Sequence, residues 1–243
     1  MRQLRPVRKL NSLKNLPSLG VGNINLEERL LGALLGAVLG EVGAAHSGSS
    51  WVWHPQAPGT WGQVLYQGCA YWAGRSSAIP PAQTAAEALV LVLPGLVLCY
   101  PQRERMRELV TTAQLPAVVA EWAGVLALAL QGQVGEPIAD EETWPDVAVA
   151  VTDFIEGATD PSTTLTLGVK QGRSPLTLLL TGYLLGAYGG VRGFPSAWVV
   201  SRLQDTNWRA WGTELLTRWA GVRVGRFPWA VAPVVNATGV GSR

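Results

Sequence analysis

The chain has 243 residues, of which 48% are hydrophobic and 15% charged, enough apolar material for a sizeable core and too little charge for an intrinsically disordered protein. The net charge of +2 is unevenly spread: five of the 19 basic residues (Arg2, Arg5, Arg8, Lys9 and Lys14) precede the first acid, Glu27, which leaves 14 basic against 17 acidic residues in the body. A body with that −3 balance lacks the basic surface of a nucleic-acid-binding domain, so no nucleic-acid partner is expected for it.

Residues 1–24 read as a flexible basic arm, suited to an acidic partner, RNA or an anionic membrane. The arm has no apolar stretch of the kind a secretory signal needs, so a cytoplasmic location is expected; its basic, acid-free composition also fits an organellar transit peptide. Asn25 then reads as an N-cap, with Glu28 completing a capping-box pattern, and a helix is predicted from there to about Val42. Within it Gly32, Gly36 and Gly40 recur every four residues and form one smooth face. Each glycine lowers helix stability by about 1 kcal/mol relative to alanine, so three in register predict the close approach of another backbone.

Residues 46–80 are rich in Gly, Ser, Pro and Trp (Trp51, Trp53, Trp61, Trp72), and no acid occurs between Glu41 and Glu87. The segment predicts a long irregular region with a short helix around Trp61–Tyr71. It serves either as a functional cover or as a tryptophan-stapled lid on the core. Helical pattern resumes over Pro81–Tyr100, broken or kinked near Pro94. Further helices are predicted at Glu104–Ala113, Pro116–Gln131, Pro145–Ile155, Pro161–Val169, Pro175–Gly189, Ser196–Gln204 and Trp208–Trp219, with Pro at starts and Gly at ends. No sustained period-2 pattern marks a strand. Residues 228–243 read as an irregular tail, and 25–227 as one all-α domain. The glycine spacing repeats at Gly182, Gly186 and Gly190, which predicts that the two striped helices pack on each other or on a shared neighbour. Ser174–Val191 is uncharged over 18 residues, but its threonines and glycines favour a buried core helix over a membrane span.

Common catalytic signatures are absent: no Gly-x-Ser-x-Gly elbow, no phosphate-binding glycine loop, no dinucleotide fingerprint. The two histidines, His46 and His54, are poorly spaced for a metal. Cys69 and Cys99 read as reduced thiols rather than a disulfide or metal pair. Asp153 and Glu156 share a helix face and read as a solvated pair, with Asp160 capping the helix that begins at Pro161.

Three stretches, Arg29–Gly43, Thr84–Leu91 and Gly172–Gly190, resemble in order and character the ADP-ribosylglycohydrolase family, of the type that includes the dinitrogenase-reductase-activating glycohydrolases. The family's first helix has the form Arg-x-x-Gly-x-Leu-x-Gly-x-x-x-Gly-Asp, and here Arg29 to Gly40 follows it with Glu41 in the Asp position. Where the family carries Thr-Asp-Asp-Thr, this chain has Pro81-Ala82-Gln83-Thr84. Where it carries Gly-Gly-Asp-Thr-Asp-Thr, this chain has Gln171-Gly172-Arg173-Ser174-Pro175-Leu176, followed by a matching small-residue helix and Phe194-Pro-Ser-Ala-Trp198. The resemblance spans about 26–205. It implies an all-α, orthogonally packed domain and, in the family, two magnesium ions held by carboxylates.

Those carboxylates are replaced here. Mg²⁺ requires anionic oxygen ligands, and a two-metal site needs several of them. Arg173 instead brings a cation and Pro175 no ligand, while Ala82 and Gln83 remove two further charges. The resemblance therefore implies that the magnesium site is lost and no cofactor is held. What remains is a cleft of Glu41, Gln83, Thr84, Arg173 and Ser174, in which a Glu41–Arg173 salt bridge would fill the vacated space. Three functions stay open. One is a catalytically inactive relative that serves as a structural or regulatory binding protein, with an ADP-ribose-like ligand in the remnant cleft. Another is an active ADP-ribosyl hydrolase with metal ligands elsewhere. The third is a helical scaffold subunit whose protein partner meets segment 46–80 or the basic arm.

Overall fold

The computed structural model describes residues 24–45, 59–138, 142–203 and 206–221. The basic arm, most of the Trp-rich segment including His46 and His54, and the expected tail lie outside the described residues. Within them the chain is all-helical, with no strand. Ten α-helices follow in order: α1 (Leu26–Ala45), α2 (Thr60–Trp72), α3 (Ala85–Cys99), α4 (Arg103–Thr112), α5 (Val118–Leu130), α6 (Pro145–Gly157), α7 (Pro161–Lys170), α8 (Pro175–Gly189), α9 (Ser196–Leu203) and α10 (Thr206–Trp219). A 3-10 turn, Val191–Gly193, links α8 to α9. Among the described residues, no helix is long and apolar enough to cross a membrane.

The centre of the molecule is the pair α1 and α8, packed with their glycine stripes face to face. A Cβ placed on Gly36 would lie 2.0 Å from the Gly182 carbonyl oxygen, and one on Gly182 would lie 2.0 Å from that of Gly36. Gly186 stands in the same relation to Gly32, and a Cβ on Gly40 would lie 2.0 Å from the Leu178 carbonyl oxygen. The two backbones therefore run antiparallel at a separation that no side chain permits. Close backbone packing replaces the side-chain interdigitation used elsewhere in the core, and it offsets the weak helix propensity of the glycines. Helix α8 is correspondingly buried all round from Leu176 to Ala187, a core helix as its uncharged sequence predicts.

Both ends of this pair are pinned by polar groups. At the start of α1, Asn25 Oδ1 accepts from the Glu28 amide at 2.8 Å, as the capping pattern predicts, while the Glu28 carboxylate turns outward to Arg192 at 2.9 Å. One turn further, the guanidinium of Arg29 is buried. Its Nη1 donates to the carbonyls of Ala129 and Ala187, each at 3.2 Å, and to that of Tyr188. It thus places a cation where the last turns of α5 and α8 converge, the favourable end of both helix dipoles. Burial lowers its pKa from the usual value.

Two expectations are corrected in α3. The helix begins at Ala85, not Pro81, because Thr84 is its N-cap. It also runs through Pro94 without a break, so of the expected break or kink the break does not occur. Proline removes the amide that would bond to the Val90 carbonyl; beside it, the Leu91 carbonyl accepts from Trp72 Nε1 at 2.9 Å and that of Leu93 from Tyr183 Oη at 3.0 Å. Similarly, α5 begins at Val118 rather than Pro116. The short helix expected at Trp61–Tyr71 is α2. It faces inward: Leu65, Cys69, Tyr71 and Trp72 are buried, and the Trp72 ring lies on Gly95, where a Cβ would come within 2.5 Å of it. The inward face of the described part of segment 46–80 is therefore a staple on the core. Helix α10 closes this side. Tyr66 meets Trp208 and Trp211 edge-on, and Arg75 lies over the Trp211 ring at 4.4 Å while pairing with Glu214.

Candidate functional site

The antiparallel packing brings the C-terminal part of α1 and the N-terminus of α8 to one end of the seam, since Gly40 sits against Leu178 in the first turn of α8. Three of the expected cleft residues, Glu41, Arg173 and Ser174, belong to this end. Glu41 is 5% exposed. Its Oε1 accepts from the Trp61 amide and its Oε2 from the Gly62 amide, both at 2.7 Å. These are first-turn amides of α2, which the helix itself cannot satisfy. The N-cap of α2 is Gly59, which has no side chain to offer, so a carboxylate from α1 supplies the cap, with the charge sign the dipole favours. A Cβ at Gly59 would fall 2.5 Å from Glu41 Oε1, which explains glycine there.

Arg173 and Ser174 lie in the joint between α7 and α8. The Gly172 amide bonds to the Val169 carbonyl at 3.0 Å and the Arg173 amide to that of Gly168 at 3.0 Å, with Gly172 at φ +71°. This is a Schellman ending, and the left-handed position is the one glycine fills readily. Ser174 then caps α8, its Oγ accepting from the Thr177 amide at 3.0 Å, with Pro175 as the first helical residue. The run Gly172-Arg173-Ser174-Pro175 is thus fully accounted for as a helix stop followed by a helix start.

Around this joint lies a polar cluster contributed by α6. Asp146 and Asp153 are seven residues apart, two turns along one face. Asp146 Oδ1 accepts from Ser174 Oγ and, at 2.6 Å, from Thr177 Oγ1. Asp153 Oδ1 pairs with Arg173 Nη2 at 2.9 Å, while Asp153 Oδ2 and Arg173 Nε are buried without partners. The expected Glu41–Arg173 salt bridge is therefore not formed. Glu41 is turned towards the first-turn amides of α2 and Arg173 towards Asp153 on α6. Asp153 is likewise not the solvated carboxylate expected beside Glu156; Glu156 alone is exposed.

Gln83 and Thr84 are exposed and serve the start of α3. Thr84 Oγ1 accepts from the Glu87 amide at 3.1 Å, and Glu87 Oε2 from the Gln83 amide at 2.6 Å. No hydrogen bond or ion pair joins this pair to Glu41 or to Arg173 and Ser174 among the described residues. Asp160 caps α7 as expected, accepting from the Thr163 amide at 3.1 Å and from Ser162 Oγ at 2.8 Å. Bonds from Thr163 and Ser162 hold its carboxyl below the usual range.

Sequence reasoning missed Asp146 and Thr177. The signal was present as the seven-residue spacing of Asp146 and Asp153, but nothing local names the helix they face. Among the described residues, no three His, Cys, Asp or Glu side chains gather closely enough to hold a metal ion. Both cysteines are free thiols. Burial raises Cys69 well above the ordinary thiol value and pushes Cys99 up to about 11, so neither is a ready thiolate at neutral pH. An open hollow lined by Arg103, Glu121, Val125, Leu128, Glu136 and Ile138 lies beside α5, away from these groups. Comparison of the chain with known protein families, with curated proteins and with solved structures finds no match.

Proposed function

We propose that this chain is a non-catalytic binding protein built on an ADP-ribosylglycohydrolase-like helical core, with no magnesium site and a remnant cleft at the α1–α8 end that takes an ADP-ribose-like ligand. The observation that carries this reading is the state of Glu41. It is the one acid left at a position where the resemblance expects a metal ligand, and both its oxygens are engaged by the amides of Trp61 and Gly62. Hydrogen bonds to a charged group are worth about 1.5–3 kcal/mol each, so handing this carboxylate to a metal would uncap α2. The joint at 172–175 adds support. Its backbone is satisfied as a helix corner, and Arg173 puts a guanidinium where a divalent site would need an anion.

The test is a pair of assays on the full chain. Incubation with an ADP-ribosylated protein and magnesium is expected to release no ADP-ribose. Calorimetric titration with ADP-ribose is expected to give a saturable heat that magnesium leaves unchanged. Release of ADP-ribose would make the chain an enzyme and overturn the reading; absence of ADP-ribose binding would remove the ligand from it.

A further inference from the structure

We draw no further inference here: the strongest candidate, the cluster of Asp146, Asp153, Arg173, Ser174 and Thr177 where α6 meets the N-terminus of α8, belongs to the site already described, and no second observation in the structure points to a ligand there.

Discussion

The two halves of the α1–α8 pair are built on opposite principles. Along the seam, Gly32, Gly36 and Gly40 face Gly182, Gly186 and the Leu178 carbonyl, and the contact is backbone on backbone. At its polar end, Glu41, Arg173 and Ser174 each reach away from the seam, to α2 and α6. The seam tolerates no side chain at all. The polar end depends on particular side chains, each serving as a cap or a pair for a neighbouring helix. One region sets how close the central helices lie; the other sets where the surrounding helices begin.

The largest effect should follow from breaking the seam. Gly36→Leu or Gly182→Leu would drive a side chain into a carbonyl 2.0 Å from the Cβ position, and neither backbone can yield without separating the helices. A loss of at least about 3 kcal/mol is expected, read as a collapse of the urea midpoint or as loss of cooperative unfolding. Wild-type stability in either variant would mean that the helices do not meet in this way.

Next comes the cap that α1 lends to α2. Glu41→Ala leaves the Trp61 and Gly62 amides without their acceptor, and about 2–3 kcal/mol should be lost. Glu41→Gln, which keeps one acceptor oxygen but no charge, should fall between. Equal stability of all three proteins in urea would show that α2 is capped by something else. A loss of about 1–2 kcal/mol is expected for Asp146→Ala, because the Ser174 and Thr177 hydroxyls lose a shared acceptor.

A smaller effect, and one that depends on pH, is expected at Asp160. Its folded-state pKa is lowered by Thr163 and Ser162, so its carboxylate stabilises the fold above the unfolded value of about 3.9. That contribution is lost as pH falls through the lower, folded value. Loss of the cap in Asp160→Ala should cost about 1 kcal/mol at neutral pH, and the difference from wild type should narrow in acid, where the protonated carboxyl keeps an acceptor oxygen but loses its charge. A difference that persists unchanged in acid would show that the charge of Asp160 adds nothing to the cap. The seam also has an internal control in Gly124, a helical glycine in α5 with nothing within 4 Å of its Cβ position. Gly124→Ala should raise stability by about 0.5–1 kcal/mol, the opposite sign to the seam variants.

What the sequence revealed divides along the same line. Four-residue glycine spacing in two helices is local and periodic, so the seam was legible before any coordinates. So were the caps at Asn25 and Asp160, where a short polar residue stands next to the helix it serves. The partners of Glu41, Arg173 and Asp146 were not, because each lies on another helix and is chosen by packing. Arg173 reads equally well as a partner for Glu41 or Asp153 until α6 is seen beside the α7–α8 joint. The bonds that α3 receives beside Pro94 were hidden for the same reason: the donors to its Leu91 and Leu93 carbonyls, Trp72 and Tyr183, arrive from α2 and α8.

Titration of magnesium chloride into the protein by calorimetry, at neutral pH and up to millimolar metal, tests most directly whether the charged groups at the polar end are committed to the fold. No saturable heat is expected, from the wild type or from Glu41→Gln. Saturable magnesium binding that disappears in a folded Glu41→Gln protein would show that this carboxylate serves a metal and not α2, and the account would fail.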